Sequence, residues 1–115
     1  MLYKEVRLPR AEQTHEAIYE PQTKCLFVSQ MSNSVLVRIP VAEGGMLLDD
    51  QDAWRVGPVA SDGETGLGGL HNISLSRRHH GCLWLSLQYY NEVMLVEAAT
   101  MKLRFGACLW ISLVS

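Results

Sequence analysis

The feature that most restricts what this chain can fold into is an internal repeat. The stretch from His15 to Val37 recurs from His71 to Leu95. His15 matches His71, Cys25-Leu26 matches Cys82-Leu83, Phe27 matches Trp84, Ser29 matches Ser86, Asn33 matches Asn91 and Val35 matches Val93. The offset drifts only from 56 to 58 residues, one residue in each turn, so the length changes fall in loops rather than in the elements they join.

Each copy reads as the same series of short strands. One opens at the histidine (Glu16 to Tyr19; Asn72 to Leu75) and leads into a polar turn (Glu20 to Lys24; Ser76 to Gly81). The next, Cys25-Leu26-Phe27-Val28 or Cys82-Leu83-Trp84-Leu85, is apolar on both faces, as a strand packed between two layers must be. A third follows the Asn turn at Val35 to Ile39 and Val93 to Val96, and Pro40 ends the first of these by removing a ladder donor. Residues Ala53 to Val59 supply a fourth strand between the copies, flanked by the acidic loop Asp49-Asp50-Gln51-Asp52 and the glycine-rich loop Ser61 to Gly69.

No convincing 3.6-residue periodicity interrupts the strands. Four-stranded meanders recurring at this spacing point to blades of a β-propeller. The expected architecture is all-β: an incomplete β-propeller of two four-stranded antiparallel meander blades forming one partial domain over residues 1–115. The blade repeats lie at 15–41 and 71–97, with an insertion at 42–68. The tail at 101–115 does not begin a third copy, and reads either as a segment from a shifted frame, retained intron or alternative exon, or as a divergent closing strand. Two copies are fewer than the four blades a closed propeller needs.

Composition narrows the function classes. Ten basic residues against twelve acidic ones, with a pI near 6.0, leave no basic face for nucleic acid. Mean hydropathy is +0.03, and the longest uncharged apolar run, Phe105 to Val114, is half the length of a membrane-crossing helix. Three cysteines cannot form a fully paired framework, and the charged N-terminus has no secretory h-region, so a cytoplasmic location is expected.

At the repeat heads the sequence resembles known propellers. His15-Glu16-Ala17-Ile18-Tyr19-Glu20-Pro21, followed by Cys25 to Ser29 and Ser34 to Ile39, is similar to the Glu-Gly-Pro-x-(Trp/Tyr)-x-Pro blade of the senescence marker protein / gluconolactonase family and its His-Glu-Ala relatives. Gly69-Leu70-His71-Asn72-Ile73 is similar to the blade start of that family and to that of the virginiamycin B lyases, the streptogramin lyases. The resemblance covers about residues 15 to 100.

It implies a parent enzyme that hydrolyses or eliminates a lactone ring, with a divalent calcium or magnesium ion polarising the ester carbonyl. Glu16 and Asn72 fall where the family places metal ligands, and His71 falls where the lyase reading needs an acid or base. His15 occupies the same slot in the other repeat, which favours capping or packing for both histidines. The family's later acidic ligand has no counterpart, and Ile73 stands where glycine is usual, so the chain alone is expected to have little or no activity on a lactone-type substrate. The alternative is a non-enzymatic interaction or assembly module that self-associates through open blade edges.

Other constellations have simpler readings. His79, His80, Cys82 and Cys25 could bind zinc, but the spacing matches no zinc pattern and adjacent histidines at a turn diverge. Gly63 to Gly69 lacks the residues of a phosphate loop, and Asp49 to Asp52 lacks those of an EF-hand. Phe27 and Trp84 read as core, Tyr89-Tyr90 as an exposed turn, and neither Ser29 nor Ser86 lies in a nucleophile elbow.

Overall fold

The computed structural model describes residues 14–30, 34–56, 69–87 and 92–108, and these form two four-stranded antiparallel sheets. The first is a meander of β1 (Thr14–Glu20), β2 (Cys25–Gln30), β3 (Val35–Pro40) and β4 (Asp52–Arg55). The second repeats it with β5 (Leu70–Leu75), β6 (Cys82–Leu87), β7 (Glu92–Glu97) and β8 (Leu103–Cys108). Among the described residues the helical structure is limited to one short 3₁₀ turn, Glu43–Gly45. Among the described residues no helix is long and apolar enough to cross a membrane.

Two boundaries differ from those read in the sequence. The fourth strand of the first sheet is Asp52–Arg55 rather than 53–59, and residues 57–60 lie outside the described set. The tail supplies β8, which pairs with β7 from Glu92↔Cys108 to Val96↔Leu103 across one register shift. Its sequence hides this because the strand that ends the second copy shares no residue pattern with β4. Residues 109–115 lie outside the described set.

The repeat also sets how the sheets stack. In the first sheet Cys25, Phe27 and Leu36 face the second sheet and join one apolar cluster with Leu70, Ile73, Leu83, Leu85, Leu87 and Val96. The opposite face carries Val28, Val35, Val37 and Ile39, packed with Leu26 and Leu47. Strand β2 is therefore buried on both faces, as its uniformly apolar start required. Strand β6 is not. Leu83 and Leu85 on its inner face are fully buried, whereas Trp84 and Ser86 on the other face are only partly so. The expectation that Phe27 and Trp84 are both core holds for Phe27 and fails for Trp84: among the described residues a second sheet is laid over the face of Phe27, whereas Trp84 is only partly buried.

The turns repeat in geometry but not in residues. Lys24 and Gly81, each just before the cysteine that opens a strand, both take a left-handed conformation, with φ of 56° and 81°. Glycine takes this conformation at the second without strain; an added Cβ there would stand 2.7 Å from Gln22 Oε1, the movable end of an exposed side chain of the first turn. In the first turn the Glu20 carboxylate caps the backbone N–H groups of Gln22 and Thr23 at 2.9 and 2.7 Å, and in the second Ser76 Oγ does the same for His79 at 3.0 Å.

Candidate functional site

Strands β1 and β5 lie side by side, one from each sheet, and they carry every residue singled out at the repeat heads. Both strands bulge at the histidine. Their registers against β2 and β6 slip between Thr14 and Glu16 and between Leu70 and Asn72, so His15 and His71 are the extra residues. A serine closes each bulge. Ser29 Oγ accepts the N–H of Glu16 at 3.1 Å, and Ser86 Oγ accepts that of Asn72 at 3.2 Å. The His and Ser matches between the repeats thus share one cause: a bulge frees a backbone N–H, and the hydroxyl two strand positions past the phenylalanine or tryptophan satisfies it.

The bulges bring the two imidazoles together. The ring centroids of His15 and His71 are 4.0 Å apart, with their planes tilted by 42°. Asn72 Oδ1 lies 2.6 Å from His71 Nδ1. An amide oxygen only accepts, so in this pairing Nδ1 of His71 is the donor, and in the neutral imidazole Nε2 is then the nitrogen with the free lone pair.

Glu16 turns instead to the neighbouring sheet, where its Oε1 accepts the backbone N–H of Ile73. The resemblance assigned Glu16 and Asn72 to a calcium or magnesium ion. These are two side-chain oxygens, each already accepting or facing a donor of the chain, while calcium takes six to eight oxygens and magnesium near-octahedral coordination. Among the described residues no group of three or more His, Cys, Asp and Glu side chains is arranged to hold a metal. The residues present do not by themselves fit such an ion.

The sequence reading missed Arg38. Its Nη1 donates to the carbonyls of Ala98 and Ala99 in the turn between β7 and β8, at 3.1 and 2.8 Å, and its Nη2 pairs with Asp52 at 2.7 Å. The guanidinium also lies 4.8 Å from the centre of the Trp54 ring. One side chain thus ties the outer strands of the first sheet to a turn of the second. Its signal was available: a single arginine inside the apolar strand Val-Leu-Val-Arg-Ile-Pro.

The remaining groups are accounted for structurally. Cys25 and Cys82 are buried free thiols; Cys25 lies in the core between the sheets, whereas Cys82 lines a cleft with Gln22, Thr23 and His80. His80 borders that cleft, while His79 borders a cavity of about 380 Å³ with Trp84, Leu95 and Arg104, so the adjacent histidines diverge. Glu97 is held below the usual carboxylate range by hydrogen bonds from Arg104 and Thr100. The loop at 61–68 and Tyr89-Tyr90 lie outside the described residues. In comparison with known proteins, the chain matches no family and no curated protein.

Proposed function

We propose that this chain is a pair of consecutive propeller blades and acts as a non-enzymatic assembly module, in which each sheet offers one face to the next sheet in a series. The carrying observation is the asymmetry between Phe27 and its repeat partner. Phe27 is buried against Leu83 and Leu85 of the second sheet, whereas Trp84 stands half-buried beside a cavity bounded by His79, Leu95 and Arg104. Sheets stacked by the same unlike pair of faces form a heterologous interface, which generates rings when the rotation closes and open arrays when it does not. The occupant this reading calls for on the Trp84 face is a further four-stranded sheet offering a leucine-rich face like that of Leu83 and Leu85.

Size-exclusion chromatography with light scattering tests it. The wild-type chain is expected to form discrete multimers, or a stoichiometric complex with a polypeptide carrying further blades, and Trp84→Glu to abolish them while the strand signal in circular dichroism persists. A wild-type chain that stays monomeric and ignores added blades would overturn the reading.

A second reading is favoured by the gathering of His15, Glu16, His71 and Asn72 on β1 and β5. A longer parent would use this rim in lactone hydrolysis or elimination, with further blades supplying the oxygen ligands that a calcium or magnesium ion requires. Calcium titration of such a parent, with Glu16→Ala and Asn72→Ala, tests it; unchanged affinity in both variants would end it.

A further inference from the structure

The geometry points to a two-imidazole site at His15 and His71 for a borderline divalent transition ion such as Zn²⁺, Ni²⁺ or Cu²⁺, which would link the two sheets through their neighbouring strands. Three observations converge on it. The rings come from different sheets yet sit 4.0 Å apart, held there by matching bulges in β1 and β5. Two nitrogen donors on one tetrahedral ion stand roughly 3.3 Å apart, given Zn–N bonds of about 2.0–2.1 Å, which sets their ring centroids roughly 5 Å apart; the rings must therefore open from their present contact by about 1 Å and turn their nitrogen edges together, a motion open to the exposed His15. The hydrogen bond between His71 Nδ1 and Asn72 Oδ1 then fixes the tautomer and leaves Nε2 as the donor, the role that outer partners play for metal-bound histidines.

The donor chemistry selects the ion. Imidazole nitrogen suits zinc, copper and nickel, whereas calcium and magnesium require oxygen. His15 is exposed and His71 partly so, which gives an ion a path from solvent and leaves its other positions to water or a small anion. Asn72 contributes by orienting His71 and not as a ligand, which separates this site from the hard-ion arrangement of the lactonase-like reading.

The test is titration of the full chain with zinc or nickel chloride, followed by isothermal calorimetry and by the histidine ring signals in NMR. One ion per chain is expected, with signals of His15 and His71 shifting and those of His79 and His80 unmoved. His15→Gln and His71→Gln should each weaken binding at least tenfold, while His79→Gln and excess magnesium should leave it unchanged. Because the ion bridges two sheets, it should raise the thermal midpoint of the wild-type chain and not that of the folded His15→Gln variant. Binding that persists in both Gln variants, competition by magnesium, or a wild-type chain that takes up no ion would each overturn the proposal.

Discussion

Glu16 on β1 accepts a hydrogen bond from the backbone N–H of Ile73 on β5, a residue 57 positions later in the chain. Ile73 holds the position in its repeat that Ala17 holds in the first, so the second residue of one repeat secures the third residue of the other. A bond to a charged acceptor contributes about 1.5–3 kcal/mol. Glu16→Ala is therefore expected to lower stability by about that amount, read from the urea midpoint, and Glu16→Gln, which keeps an acceptor oxygen, by less than half of it. Equal losses in the two variants would assign the effect to charge rather than to the bond.

Arg38 makes a further polar tie between the sheets. Removing it leaves the carbonyls of Ala98 and Ala99 without their guanidinium and Asp52 without its ion pair. Asp52 is exposed, so its pairing adds little, and the carbonyl bonds account for most of the effect. Arg38→Met, which keeps the apolar stem, should cost about 1–3 kcal/mol in urea unfolding. Double-mutant cycles of Arg38→Met with Asp52→Asn should give a coupling below about 1 kcal/mol, since exposed ion pairs are worth no more than that.

How much of this was legible follows from where the repeat is strong. The strands around Cys25 and Cys82 were found because their apolar runs match each other, and the sheet order follows from short turns between consecutive strands. Strand β8 is the closing strand that one of the two readings of the tail allowed; the sequence could not choose between them because Leu103–Cys108 is interrupted by Arg104 and Gly106 and shares no residue pattern with β4, and the pairing of Arg104 with Glu97 of β7 depends on register. At the site, the sequence marked His15, Glu16, His71 and Asn72 correctly as equivalents but not their partners. A bulge is a matter of register, and register depends on both strands at once. The contacts of Glu16 with Ile73 and of Arg38 with Ala98 depend on how the sheets stack, which a match between repeats cannot specify.

The faces of the two sheets predict unequal costs for equivalent substitutions. Phe27 is fully buried between the sheets, so Phe27→Ala should cost about 3–5 kcal/mol. Trp84 occupies the matching position on a partly open face, so Trp84→Ala should cost about half as much in the isolated chain. Thermal and urea unfolding of the two variants measure the difference. If a further sheet is bound over Trp84, as the assembly reading requires, the two costs should converge in the complex.

Lys24 carries a strain that its repeat partner avoids. Its φ of 56° is left-handed, which costs a non-glycine residue roughly 1–2 kcal/mol, and Gly81 takes the same conformation without that penalty. Glycine also gains entropy in the unfolded chain, which offsets part of the relief. Lys24→Gly should raise stability by up to about 1 kcal/mol, and Lys24→Asn by less. Lys24→Val, branched at Cβ, should lower it. A destabilising glycine here would mean that the Lys24 side chain makes a contact worth more than the backbone strain.

Glu20 makes stability depend on pH in a defined direction. It is 2% exposed, and burial alone would push its carboxyl up; the hydrogen bonds from the Thr23 hydroxyl and from the N–H groups of Gln22 and Thr23 outweigh that and hold it below the ordinary glutamate value. A carboxyl whose folded value is depressed contributes stability that is complete above its unfolded value, about 4.3, and is lost as the pH falls through the folded one. Glu20→Gln keeps one acceptor oxygen but not the charge, so it should cost about 1–2 kcal/mol near neutral pH. The gap between wild type and variant in urea midpoint should stay level from pH 7 to about pH 5 and then shrink in acid. A gap that persists undiminished at pH 2 would show that the turn is held by the shape of the side chain at position 20 and not by its charge.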